Sequence, residues 1–164
     1  MRGLIPLFNM NLIDKLFRKK EYRGEKVCLV ENYRTNEKTA YDGIPTIYYD
    51  IYSNDTNEKV GKIELRLSIE GDMYYYGHIG YNISKVHRGN NYAYYACKIL
   101  FNIAKDEHNL DELIITCSPD NIASYKTLMK LGGELIEQVD VPKGHMLYSF
   151  GETKKDVFRF RINI

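Results

Sequence analysis

Apolar and polar residues alternate with a period of two over the first half of the chain, and the period then lengthens to that of a helix. Strand-like runs occupy Val27 to Glu31, Thr46 to Ser53 and Val60 to Ile69. In the third, Ile63, Leu65 and Leu67 fall on one side while Lys62, Glu64 and Arg66 fall on the other. This is the alternation of a sheet packed on one face and wetter on its other. Residues 53–59, SNDTNEK, are rich in turn formers and make the last two runs a hairpin. A fourth run, Tyr74 to Ser84, follows the Gly71-Asp72 turn and extends an antiparallel meander.

From Tyr92 the pattern changes. Ala93, Ala96, Cys97, Leu100, Phe101 and Ala104 recur at steps of three and four, which predicts a long helix with one apolar stripe. Leu113 to Cys117 (LIITC) is a short apolar run of the kind buried in mid-sheet, and the strand, helix, strand order predicts a parallel pair. Residues 118–121, SPDN, offer cap residues for a second helix that stops at Gly132-Gly133. Glu134 to Val139, Met146 to Phe150 and Val157 to Ile162 complete the chain as predicted strands. The sum is an α/β fold, a mixed and mostly antiparallel sheet with flanking helices.

Composition narrows the choice of partner. With 164 residues, 44% of them apolar, the chain suits one core, and a single domain is expected over residues 22–164. Lys plus Arg at 23 against Asp plus Glu at 22 leaves +1, so no basic field argues for nucleic acid. Cys28, Cys97 and Cys117 lie in apolar runs without CxxC spacing, which suits reduced thiols in the cytoplasm and no metal site. Most of the 15 tyrosines are expected to pack. Residues 1–21 form an N-terminal amphipathic segment in which Leu12, Ile13, Leu16 and Phe17 precede Arg18, Lys19 and Lys20. It is expected to dock on protein rather than on membrane.

The candidate chemistry sits at Arg88 to Ala93, RGNNYA, between a strand-like run ending at Ile83 and the helix opening at Tyr92. A turn that leaves a strand and opens a helix aims unpaired backbone N–H groups at one spot, at the positive end of the helix dipole. Such a spot holds phosphate. Arg88, Gly89, Asn90, Asn91, Tyr92 and Ala93 are therefore the expected ligand-binding residues.

The stretch from Gly77 to Val139 resembles the core of the GNAT family of N-acetyltransferases, which use acetyl-CoA. In that family a strand leads into Arg/Gln-x-x-Gly-x-Gly/Ala, whose amides hold the pyrophosphate of coenzyme A. Arg88, Asn91 and Ala93 stand at those positions. Asn replaces the usual glycine at 91, and it is the non-Gly residue that best tolerates left-handed backbone angles. Residues 121–133, NIASYKTLMKLGG, resemble the family's Asn-x-x-Ala/Ser helix. The resemblance places Asn121 near the pantetheine arm, a role compatible with its being an N-cap. It also implies a splayed central strand pair, with the backbone around Ile83 pairing with pantetheine and a strand N–H polarising the thioester carbonyl.

Two departures concern catalysis. The tyrosine that many members carry on the last helix is Leu128 here, and Tyr125, on roughly the same helix face, is the substitute acid. Glu64 is the preferred general base, ahead of Asp50, His78 and His87. The segment RTNEKTAYDGI, residues 34–44, is too short for the helices that usually wall the acceptor. The acceptor site is then open, built by the N-terminal segment, or completed by a second subunit in a homodimer. The implied activity is acetyl transfer to a primary amine of a small molecule or peptide, in a ternary complex and without metal. The alternative is a non-catalytic CoA-binding or regulatory module.

Overall fold

A computed structural model describes residues 19–40 and 42–162; the expected amphipathic segment around Leu12 to Phe17 lies outside the described residues. The strands β1 (Glu21–Arg23), β2 (Val27–Arg34), β3 (Thr46–Ser53), β4 (Lys59–Arg66) and β5 (Ile79–Ile83) form one antiparallel sheet in chain order. After helix α1 (Tyr92–His108) come β6 (Glu112–Cys117), helix α2 (Ile122–Lys130), β7 (Glu134–Asp140), a short helix α3 (Met146–Ser149) and β8 (Lys154–Arg161). The last three strands form a second antiparallel sheet in the order β6, β8, β7.

The period-two pattern decides which face of the first sheet is buried. Leu29, Ile51, Ile63 and Leu65 are at most 2% exposed and share one cluster with Ala96, Cys97, Leu100 and Ala104 of α1. Lys62, Glu64 and Arg66 lie on the opposite face, where Arg66 packs over the Tyr76 ring. All three cysteines are buried free thiols.

Three predicted elements differ. Residues 71–75 form a 3-10 turn instead of a strand, and β5 starts only at Ile79, because Gly77 adopts a φ of +70° that interrupts extended backbone. Met146 to Phe150 turns into α3, where His145 Nδ1 caps the Leu147 N–H at 3.1 Å. Met146 and Phe150 are exposed and Leu147 is buried, so a one-turn helix burying a single side chain satisfies this stretch better than a strand. The expected parallel pair does not form a ladder either: every ladder among the described residues is antiparallel.

Instead β5 and β6 meet at one bridge, Gly77 to Ile115, and part beyond it. The backbone N–H of His78 donates to Ile114 O at 2.7 Å. The Ile114 N–H in turn donates to His78 Nδ1 at 2.9 Å. These two bonds pin the apex of a V between the sheets.

His78 makes that pin sensitive to acid. Burial holds its imidazole below the ordinary value, and an Nδ1 that accepts a hydrogen bond carries no proton. The unfolded chain takes up the proton more readily. The stability this residue contributes is thus present above about pH 6.5 and lost as pH falls below it. Urea unfolding followed from about pH 8 to about pH 5 should show the loss, and His78→Asn should flatten it.

Candidate active site

Strand β5 has one satisfied edge and one open edge. Gly80, Asn82 and Ser84 bond β4, as the Lys62 to Asn82 pairing and the Ser84 N–H to Val60 O bond at 2.9 Å show. The alternation of an antiparallel ladder then turns the N–H and C=O groups of Tyr81 and Ile83 away from β4, toward the gap. The Ile83 carbonyl accepts from Arg88 Nε at 3.1 Å. Neither the Tyr81 nor the Ile83 N–H meets an acceptor among the described residues.

The turn after β5 is built by backbone angles that few residues accept. A 3-10 turn at Lys85–His87 leads to an extended Arg88, then Gly89 at φ +87° and Asn91 at φ +58°, both left-handed. Asn91 is the N-cap of α1 but gives no side-chain cap bond. The Asn90 side chain bonds back to His87 O at 3.0 Å and fixes the turn from within. Among the described residues, the N–H groups of Gly89, Asn90, Asn91, Tyr92 and Ala93 find no acceptor. Five donors converging at a helix N-terminus fit a diphosphate.

Ile83, Arg88, Gly89, Asn90, Asn91, Tyr92, Ala93 and Asn121, every residue the sequence marks for the cofactor, line one groove of about 440 Å³. Asn121 caps α2 by accepting the Ser124 N–H at 3.1 Å. Sequence reasoning missed Lys126 and Lys130, which α2 turns into the same groove. Their four-residue spacing on the helix that Asn121 opens was the available signal. With Arg88 they make a cationic lining that contains no carboxylate.

A second cavity of about 390 Å³ lies on the other side of strand β5, lined by Tyr33, Tyr48, Asp50, Lys62, Glu64 and Asn82 among others. The Tyr33 and Tyr48 rings stack at 4.3 Å. Asp50 pairs with Lys59 Nζ at 2.6 Å. Glu64 pairs with Arg66, whose Nη1 also bonds Gly77 O at 3.1 Å. Tyr81 and Asn82 line both cavities, so β5 is the wall between them.

The two catalytic candidates are thus separated from each other. Glu64 faces the second cavity, while Tyr125 packs edge-on against Phe158 at 5.3 Å and lines neither. The helix face toward the groove carries Ala123, Ser124, Lys126, Thr127 and Lys130; Tyr125 is turned to the core instead. Leu128 is fully buried. Leu128→Tyr should therefore overpack the core and cost roughly 1–3 kcal/mol without raising activity. A lowered melting temperature with no gain in kcat is the expected pair of readings.

With this geometry, known proteins give a consistent comparison. No curated protein sequence matches the chain. Among solved structures, an acetyltransferase of the GNAT family from Bacillus anthracis is 20% identical with a TM-score of 0.57, covering 70% of this chain and 66% of its own. A ribosomal-protein-S5-alanine acetyltransferase from Vibrio fischeri is 12% identical with a TM-score of 0.61, covering 88% of this chain and 97% of its own. A microcin C7 self-immunity acetyltransferase, solved with acetyl-CoA and AMP, is 16% identical with a TM-score of 0.55, covering 71% and 61%. These likenesses establish the fold. The acetyltransferase (GNAT) domain family matches residues 18–134, more than half of the sequence, and the chain belongs to that family.

Proposed function

We propose that this chain transfers an acetyl group from acetyl-CoA to a primary amine, by direct attack with both bound together. One observation carries the reading: five backbone donors at Gly89 to Ala93 that have no acceptor among the described residues, beside an open strand edge at Tyr81 and Ile83. Acetyl-CoA supplies an activated acyl group, and the remaining tasks fall to the chain. The 89–93 amides and Arg88 hold the diphosphate, with Lys126 and Lys130 offsetting its charge. Asn121 and the β5 edge align the pantetheine amides as another strand would. An N–H of β5 polarises the thioester carbonyl and stabilises the developing oxyanion.

The amine enters from the cavity on the other side of β5. It must lose a proton to attack, and Glu64 is the carboxylate of that cavity nearest β5 by register, opposite Gly80. Among the described residues no cluster of three His, Cys, Asp or Glu suits a metal, and no helix is long and apolar enough to cross a membrane. We place the activity in the cytoplasm, on the chemistry of three unpaired thiols.

Calorimetric titration with acetyl-CoA, followed by a panel of amines read by thiol release, tests the proposal. Saturable binding and release with at least one amine are expected. Burial of Leu128 and the packing of Tyr125 favour a second reading, a CoA-binding module without chemistry. Binding with no release from any amine would select it; no binding would remove both.

A further inference from the structure

Tyr81 stands where the two cavities meet, one strand residue deep in the wall between them. Its hydroxyl lies 2.6 Å from Ser124 Oγ, across the gap on the first turn of α2. Asn121 fixes that turn, since its side chain accepts the Ser124 N–H. The phenol is therefore held in place, not merely packed. It crosses the space between the open edge of β5 and the helix that borders the groove. Its own backbone N–H faces the same gap, so the thioester proposed to lie along that edge passes this residue.

The thiols beside the phenol, Cys97 and Cys117, are buried in the core and line neither cavity. The titratable groups that act on the phenol from neighbouring elements are the Cys97 thiol of α1 and the Cys117 thiol of β6. Burial pushes these up to about 12 and about 11. Leu128 has no proton to give, and Tyr125 lies against Phe158.

We propose that Tyr81 is the general acid of the transfer, delivering its phenolic proton to the sulfur of coenzyme A. This rests on the acetyl-transfer reading. As the amine nitrogen bonds the acyl carbon, the C–S bond breaks and its electron pair goes to sulfur. The Tyr81 O–H proton converts that thiolate to the thiol. The Ser124 hydroxyl turns to donate to the phenolate while it lasts. The phenolate then regains a proton through solvent, in exchange for the one the nitrogen sheds in becoming an amide, so no further reactant is consumed. Burial raises the phenol above its ordinary value, which keeps it protonated at rest.

Tyr81→Phe keeps the ring and removes only the proton. Acetyl-CoA affinity by calorimetry should stay within about twofold, while kcat falls by roughly 100-fold or more with KM for acetyl-CoA little changed. A fluorinated tyrosine at position 81 keeps both shape and hydroxyl, and its more acidic phenol should change kcat while leaving acetyl-CoA affinity within about twofold. That second protein decides the matter should the Phe variant not fold. A Phe variant as active as the wild type, or a fluorinated protein with unchanged kcat, overturns the assignment of Tyr81 and leaves acetyl transfer standing. Failure of the wild type to bind acetyl-CoA overturns both.

Discussion

Arg88→Glu is expected to weaken acetyl-CoA binding by roughly 100-fold or more, with the fold intact. Arg88 is an exposed residue at the groove mouth, held by its bond to Ile83 O at 3.1 Å, and no carboxylate lines the groove with it. A charge-assisted bond to phosphate contributes about 1.5–3 kcal/mol. Reversal removes that bond and adds repulsion from the diphosphate. Arg88→Lys keeps the charge but loses the planar fork, so it should lose much less affinity. Calorimetry on the three proteins, with melting temperatures alongside, checks the order. Unchanged affinity in the Glu variant would mean that the 88–93 turn does not hold the anion.

Gly77→Val should produce the largest loss of stability. Gly77 has φ +70°, and a β-carbon there would lie 2.8 Å from Ile114 O and 3.1 Å from Ile115 Cα, both backbone atoms that cannot swing aside. Left-handed strain in a β-branched residue costs about 1–3 kcal/mol, and the clash at the apex of the V adds to it. A total of about 3 kcal/mol or more is expected, read as a lower urea midpoint. Gly151→Val provides the comparison, because Gly151 has φ +87° but nothing within 4 Å of its added carbon. It should show the strain alone. If the two variants melt alike, the close contact between β5 and β6 is not what holds the apex.

Much of this was legible where a single period governs burial. The stripe from Ala96 to Ala104 and the alternation of Ile63 and Leu65 became core residues because each helix or strand has one partner face. The left-handed turn before α1 was legible too, since Gly89 and Asn91 are the residue types that such angles demand. Residues 74–78 misled because tyrosines suit a strand, whereas a lone glycine at 77 decides that the backbone turns. Met146 to Phe150 misled because four apolar or aromatic residues stand at alternate or adjacent positions, yet a histidine cap favours a helical turn. Tyr81 could not be singled out at all. In sequence it is one strand tyrosine among many, and its partner Ser124 lies 43 residues away on an element whose approach only the folded chain specifies.

On the proposed reading, backbone donors at residues 89–93, beside the open edge of β5, grip a diphosphate. Backbone amide resonances of the isotope-labelled protein, titrated with coenzyme A, test it most directly. The largest shifts are expected on Gly89 to Ala93, with the Tyr81 and Ile83 amides following. Saturating shifts elsewhere, with these seven amides unmoved, would contradict it.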